Sequence, residues 1–343
     1  MEEILNSIPL VSVACITYNQ EGYIKDAIEG FLMQKTTFPI EIIINDDAST
    51  DDTARIVRNY ADKHPTLIIP ILQTENQHSL GINPGYKFVL PKCQGKYIAV
   101  CEGDDYWTDP FKLQKQVDFL EANENYSICF HPVNVVFEDK SQDEYIFPTS
   151  EFLFNKTTLT TDDLVQHNFI QTNSVLYRSV FNRQVRIEKL PSGILPGDWY
   201  LHLLHSKYGR IGFIPDVMSV YRRHDDGIWQ NEAAFNYAFE HRKFYKEVDL
   251  LYDHKYSDKI NTNITDLYNQ IIEISYYKQD FSKLEILLEK YPEDKKAVLE
   301  LVFQLIGCRN DQRRQLNQIT NSKSYKLGRF LLGPLKLLKS KLV

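Results

Sequence analysis

Three carboxylates crowd the stretch Glu102-Gly103-Asp104-Asp105, which closes an apolar run from Tyr97 to Cys101. Burying one ionised carboxylate is costly, and three side by side repel one another. A strand that delivers such a cluster to its own end calls for a cation there, and hard oxygen ligands suit Mg2+ or Mn2+. The plain alternative is a solvated acidic turn that caps the next helix. A second acidic pair, Asp46-Asp47, closes another apolar run, Ile40 to Ile44. Asp198 follows Pro196-Gly197 and opens a helix, as a simple N-cap or as a carboxylate with chemistry to do. His224 stands straight after Arg222-Arg223 at a strand end. It is either an ordinary surface histidine or a phosphate or metal candidate.

The elements that must carry these residues alternate. Leu10 to Ile16, Ile40 to Ile44, Leu67 to Leu72 and Tyr97 to Cys101 read as strands. Gly22 to Gln34, Asp52 to Lys63, Pro84 to Leu90 and Phe111 to Asn123 read as helices. Ser49, Thr50 or Asp51 is placed to cap the second of them. This alternation predicts a doubly wound, mostly parallel α/β sheet with both faces covered. Acidic pairs at two carboxyl ends then share the edge where such sheets bind ligands. Tyr126 to Phe137 is a further strand region, and Asp162 to Asn168 a short helix. Phe169 to Tyr177 alternates as an antiparallel or edge strand does. Asp198 to about Tyr208 is helical, and Gly209 to His224 holds two short strands. From Asn231 to about Gln318 the pattern is helical, with no chemical motif.

The totals set limits on function. With 43% hydrophobic and 25% charged residues, the 343-residue chain is globular. A net charge of −7 argues against general nucleic-acid binding. The charge is uneven: Gln312 to Val343 carries eight Lys/Arg and no Asp/Glu, leaving 31 cations against 46 acids elsewhere. Leu327, Phe330, Leu331, Leu335, Leu338 and Leu342 share one helical face of that tail. Such a basic amphipathic segment suits an anionic membrane surface, or a dock on protein. Cys15, Cys93, Cys101, Cys129 and Cys308 show no paired spacing, which points to a reducing compartment without disulfides or zinc. No secretory signal and no run long enough to span a membrane is expected.

Val11-Ser12-Val13 leading to Tyr18-Asn19, then Glu41 to Asp51, then Gly95 to Asp105, resemble the family-2 glycosyltransferases with the GT-A fold. Glu102-Gly-Asp-Asp-Tyr-Trp-Thr-Asp-Pro is similar to one bacterial subgroup of that family. Asp198-Trp199 and Tyr221-Arg222-Arg223-His224 match its later motifs, so the resemblance covers about Pro9 to Gln230. It implies a GT-A-type, Rossmann-like mixed sheet over residues 1–230, while the residue pattern beyond it gives a helical extension over 231–320 and the basic tail over 321–343. It also implies an inverting hexosyl or N-acetylhexosaminyl transfer from a nucleotide-diphosphate sugar, a UDP-sugar above all. The backbone near Ile16 and the ring of Tyr18 would flank the base, with Asn19 beside them. Asp47 would accept from the uracil ring NH, and Asp51 would cap its helix. Asp104 and Asp105 would hold Mn2+ or Mg2+ and approach the donor ribose. Glu102 would contact the ribose or only water. Asp198 would be the catalytic base. His224 would reach the metal or the diphosphate, with Arg222 and Arg223 in support. Tyr106, Trp107, Trp199 and Trp229 adjoin the motifs, where stacking on sugars and plain packing are equally open.

Two other readings compete. A sugar-1-phosphate nucleotidyltransferase would need a Gly-rich loop after the first strand, but Thr17-Tyr18-Asn19-Gln20-Glu21-Gly22 has one glycine. A non-catalytic sugar-binding scaffold would not need a carboxylate at Asp198. The expectation is therefore a cytoplasmic enzyme, peripheral on the inner face of a bacterial membrane. It would extend a capsule, polysaccharide or lipopolysaccharide on a glycan or lipid-linked acceptor.

Overall fold

Why the acidic residues share one edge follows from how the strands order themselves. The computed structural model describes residues 8–149, 159–181, 185–224, 232–278 and 280–308. The chain forms two compact units: 1–230 with Glu247–Tyr256, and 231–246 with 257–343. In the first, β1 (Val11–Thr17), β2 (Ile40–Asp46), β3 (Ile68–Leu72) and β4 (Tyr97–Glu102) run parallel. The helices α1 (Ile24–Leu32), α2 (Thr53–Lys63) and α3 (Lys112–Ala122) accompany them. The carboxyl ends of β1, β2 and β4 are in register, Ile16 opposite both Asn45 and Glu102. The expected convergence of Asp46-Asp47 and Glu102 to Asp105 on one edge is thereby met.

The same strands bury their apolar faces. Val13, Cys15, Ile42, Ile44 and Ala99 pack with Ile28 and Phe31 of α1, Val57 of α2 and Leu113 and Val117 of α3. This continuous core explains the near-unbroken apolar strand sequences, because both sheet faces are covered.

Three departures from the sequence reading matter. The run Tyr126 to Phe137 is two strands, β6 (Tyr126–Phe130) and β7 (Val133–Phe137), in different sheets. Pro132 sits at the crossing, where a residue with no N–H cannot continue a ladder. The alternating run Phe169 to Tyr177 yields only β9 (Leu176–Arg178), which is antiparallel but interior, between β4 and β6. The helix expected from Pro84 to Leu90 is a single π-helical turn, Gly85–Val89, followed by a tighter turn at Leu90–Lys92.

With β10 (Arg210–Phe213), the first sheet reads β10-β6-β9-β4-β1-β2-β3 among the described residues. A smaller sheet lies beside the acidic turn. It orders β5 (Tyr106–Trp107), β11 (Ser219–Arg223), β7 and β8 (Tyr145–Phe147). Between them come α4 (Thr161–Gln166) and α5 (Gly197–Ser206).

The second unit is helical, from α6 (Glu232–Leu251), which also enters the first unit, through α7 (Ser257–Lys278), α8 (Ser282–Lys290) and α9 (Lys295–Cys308). Tyr268, Ile271, Leu284, Leu287, Leu288 and Val298 form its core. Arg242 Nε donates to Asp294 at 2.6 Å, and Tyr268 also donates to that carboxylate. Among the described residues no helix is long and apolar enough to cross a membrane. The basic segment 321–343 and Trp229 lie outside the described residues.

One core residue is unusual. Lys112 is fully buried; its Nζ donates to Gln116 Oε1 at 2.8 Å and sits 4.1 Å from the Trp107 ring centroid. Gln116 in turn donates to the carbonyls of Cys129 and Ser174, tying α3 to β6 and the 172–174 turn. Burial drives the Lys112 amine down from 10.5 to about 7. Between those values the unfolded chain keeps a proton that the folded chain has released, so stability climbs with pH across that window. Lys112→Met should remove this climb, worth up to about 1.4 kcal/mol per pH unit. Urea midpoints of both proteins at about pH 7 and pH 10 measure it, and an unchanged slope would refute the assignment.

Candidate active site

The strand ends are held open by backbone devices before any ligand is considered. Asn19 adopts a left-handed backbone, φ 50°, which asparagine tolerates better than most residues. Its N–H donates to Ser49 Oγ at 2.9 Å and its Oδ1 accepts from the Thr50 N–H at 2.8 Å. Asn19 therefore ties the loop after β1 to the loop after β2. Asp51 accepts from the N–H groups of Thr53 and Glu21, both at 3.0 Å. It serves the start of α2 as expected. Burial pushes its carboxyl up, but these hydrogen bonds outweigh it and hold the group below the usual range. Tyr18 stands 45% exposed on the same edge, a ring with a face to offer.

Asp46 and Asp47 turn in different directions. Asp46 accepts from the Ser49 N–H at 3.0 Å. Asp47 is buried, and its two oxygens accept from the N–H groups of Gln77 and His78, each at 3.0 Å. The residue expected to read a base thus also anchors the 77–78 loop.

The acidic turn is the densest feature. Ligand oxygens of Glu102, Asp104 and Asp105 lie within 4.8 Å of one another. Gly103 lets the turn come close to β1. Its N–H donates to the Ile16 carbonyl at 3.0 Å, and an added Cβ would stand 2.6 Å from Gln20 Oε1 and 2.7 Å from Thr17. Asp105 is 1% exposed and accepts from the Arg222 N–H at 2.9 Å. Burial, then the charges of Asp104 and Glu102, raise its pKa well above the carboxylate range against the pull of Arg222. Glu102 is pushed up to about 8 by desolvation and by the charges of Asp104 and Asp198. Its side chain stays open to water on the crevice floor, which weakens the desolvation, but the two charges act in the same direction.

Asp104 Oδ2 meets His224 Nε2 at 3.1 Å. Asp104 Oδ1 is buried with no hydrogen-bond partner among the described residues. An unpartnered buried carboxylate oxygen is expensive unless something binds it. Three hard oxygen donors, an imidazole and one orphaned oxygen fit a divalent ion. Among the described residues Glu102, Asp104 and Asp105 could hold it, with His224 Nε2 beside Asp104 Oδ2.

Arg222 is not turned to the crevice. Its guanidinium pairs with Asp26 and Glu138, donates to the Asp104 carbonyl at 3.2 Å, and lies 4.5 Å from the Tyr106 ring centroid. Arg222, expected at the donor, thus also braces the acidic turn against Asp26 and Glu138. Arg223, next along β11, has its guanidinium over the Phe137 ring at 5.6 Å. Trp107 and Trp199 are buried, and their indole N–H groups donate to the carbonyls of Asn173 and Leu164. Both therefore pack.

Asp198 occupies the first turn of α5, where the helix N-terminus favours a carboxylate. Thr172 Oγ1 donates to its Oδ2 at 3.1 Å. Burial raises the Asp198 pKa, partly offset by hydrogen bonds from the Trp199 backbone, Thr172 and Asn168. Thr172 was invisible as a partner in sequence, because it sits inside a run that alternates like a strand. A carboxylate with a raised pKa close enough to Glu102 to perturb it is suited to accept a proton.

Comparison with known proteins agrees with this geometry. The profile described as "Glycosyl transferase family 2" matches residues 12–184. An uncharacterized protein of Mycobacterium tuberculosis is 45% identical over 236 residues, 69% of this chain and 64% of the relative, so the chain spans less than two thirds of that relative's length. TuaG of Bacillus subtilis, named as a teichuronic acid biosynthesis glycosyltransferase, is 26% identical over 246 residues, 71% of this chain and 90% of TuaG. S. aureus TarS 1–349 in complex with UDP-GlcNAc shares the fold at TM-score 0.54 and 18% identity, covering 85% of this chain and 80% of TarS. The mannosyltransferase PcManGT of Pyrobaculum calidifontis, in complex with GDP-Man and Mn2+, does so at TM-score 0.53 and 16% identity, covering 84% and 81%. The GT-A architecture and the mixed, mostly parallel sheet expected from sequence are therefore present.

A divalent ion must displace the protons that Glu102 and Asp105 hold above the usual carboxylate range. Without metal, carboxyls raised in this way cost stability as pH rises through their folded pKa values; with metal the cost is cancelled. The gain in melting temperature on adding Mn2+ should therefore grow between about pH 6 and pH 8. Asp104→Asn should abolish most of it in differential scanning fluorimetry. A shift that is flat with pH, or intact in the variant, would place the metal elsewhere.

Proposed function

This chain belongs to glycosyl transferase family 2, and from that premise we propose that it transfers a sugar from a UDP-sugar to a hydroxyl of a glycan or lipid-linked acceptor. The transfer inverts the anomeric carbon. The observation that carries the reading is the meeting, on one sheet edge, of the acidic turn with its orphaned Asp104 Oδ1 and of Asp198 at a helix start. The catalytic domain is taken as 1–230, with a helical extension over 231–320 and the tail over 321–343.

The chain's own residues divide the work. Tyr18 offers a ring face to the base, and the Asp47 carboxylate, fixed by two backbone N–H groups, offers its remaining lone pairs to the ring NH. Asp104, Asp105 and His224 would hold Mn2+ or Mg2+, which when bound would offset the charge that grows on the leaving diphosphate. Arg222 keeps Asp105 in place through its backbone N–H. Asp198, oriented by Thr172 through Oδ2, takes the proton from the acceptor hydroxyl as that oxygen attacks the face of the anomeric carbon opposite the diphosphate. Its raised pKa lets it hold that proton after transfer.

The sugar moved is a hexose or N-acetylhexosamine, and the product is a bacterial cell-surface polysaccharide or lipopolysaccharide. TuaG, a relative by sequence, is named for teichuronic acid synthesis, which supports that class. The basic tail would keep the enzyme on the inner face of the cytoplasmic membrane.

Asp198→Asn should lower transfer by about 10²–10⁴-fold while leaving the Mn2+-dependent melting shift with UDP unchanged. A panel of nucleotide sugars, read by UDP release and by the anomeric configuration of the product in NMR, tests donor and inversion together. Full activity in the variant would remove Asp198 as base, and a retained anomeric configuration would overturn the single-displacement mechanism.

A further inference from the structure

Asn83 carries no motif, yet two glycines far apart in sequence clear space for it. Its side-chain Oδ1 accepts from the Tyr86 N–H at 3.1 Å, and its carbonyl accepts from the Lys87 N–H at 3.1 Å. The residue thus caps the π-helical turn Gly85–Val89, and the cap fixes which end of the carboxamide is oxygen. A Cβ on Gly85 would stand 3.2 Å from that oxygen and 2.8 Å from Ile16 Cδ1. A Cβ on Gly197 would stand 2.6 Å from Asn83 Nδ2. Tyr86, which is buried, donates from its hydroxyl to the Gly197 carbonyl at 2.7 Å and so fastens this turn to the start of α5. The carboxamide therefore lies against Gly85 at its oxygen and against Gly197, the residue before Asp198, at its nitrogen. Among the described residues, the Asn83 NH2 group has no acceptor. Asn83 itself is half-buried.

We propose that Asn83 is a sugar-binding residue: its Nδ2 donates to a hydroxyl or acylamino oxygen of the transferred sugar. The inference rests on the donor reading above. A nucleotide sugar whose base lies near Tyr18, whose diphosphate lies at Asp104 and whose anomeric carbon faces Asp198 must lay its sugar ring beside the start of α5. A rigid amide donor placed against Gly197 reads that ring. Fixing the amide by a backbone cap lowers the entropy lost on binding, which is what preorganisation provides. Gly197 is then explained by this side chain, and Gly85 by it together with Ile16, whose Cδ1 is the nearer obstacle.

Two variants separate this role from a structural one. Asn83→Ser keeps a side-chain acceptor for the Tyr86 N–H and removes the amide donor. Gly197→Ala leaves Asn83 intact and pushes its NH2 aside. Calorimetric titration with Mn2+ present would compare UDP with UDP-glucose, UDP-galactose and UDP-N-acetylglucosamine. The wild type should bind one sugar nucleotide more tightly than its response to UDP alone would give. In both variants that preference should fall about tenfold, the size of one neutral hydrogen bond, with UDP affinity unchanged. Donor KM should rise to match, with acceptor KM unchanged. Equal weakening of UDP and sugar nucleotide in both variants would overturn the proposal in favour of a purely structural cap. A rise confined to acceptor KM would overturn it in favour of an acceptor contact. Absence of any UDP response in the wild type would be a failure of the donor reading, and the assignment would fall with it.

Discussion

Repulsion among carboxylates governs the arrangement of this molecule. Glu102, Asp104 and Asp105 bring their oxygens within 4.8 Å, and Asp198 adds a fourth negative charge felt at Glu102. Two unit charges at about 4 Å repel by roughly 1 kcal/mol in water and about 4 kcal/mol near a protein surface. A chain does not keep such a cluster at a strand end without compensation. The nearest guanidinium, Arg222, is already shared with Asp26 and Glu138. It lends Asp105 a backbone N–H and some field, but it cannot neutralise three acids while paired to two others. Protons meet part of the remaining demand, since Glu102 and Asp105 sit above the usual carboxylate range, and a divalent ion would meet it in their place.

The smaller sheet exists to manage that demand. β11 reaches the acidic turn from 117 positions away and lies antiparallel to β5, the short strand that follows the turn. Arg222 and His224 sit on one side of this strand and Arg223 on the other, because side chains alternate along a strand. Behind the turn, Trp107 is clamped by Phe31, by Lys112 and by the Asn173 carbonyl. Gly30 allows that approach, since a Cβ there would stand 2.9 Å from the Trp107 N–H nitrogen. The acidic edge is therefore backed by a buried layer of aromatic and polar side chains, not by loops alone. Loops carry the specific groups, and the layer behind keeps them still.

Periodicity made the scaffold legible. Apolar runs at 11–17, 40–46 and 97–102 read as parallel strands because they are buried on both faces, and 68–72 pairs with them at the sheet's end. Strand ends in such sheets bind ligands, so Asp47, Asp104 and Asp105 announced themselves by type and place. Phe169 to Tyr177 misled because alternation is also what a polar turn before a three-residue strand produces. Its Thr172 and Asn173 face polar partners, Asp198 and the Val220 carbonyl, rather than solvent.

By itself, then, the sequence determined the strand and helix order and the edge on which acids gather, since both depend on local pattern. Tertiary structure alone decided that Arg222 turns away to Asp26 and Glu138, that Asp47 anchors the 77–78 loop, that Thr172 orients Asp198 and that Gly85 and Gly197 enclose Asn83. Apart from Gly85 beside Asn83, these join residues between 26 and 196 positions apart in the chain. Direction and distance between such groups are set by how layers pack, and no local spacing encodes them. The acidic turn was recognisable as a cluster that calls for a cation; folding decided that the Arg222 guanidinium beside it is committed to Asp26 and Glu138.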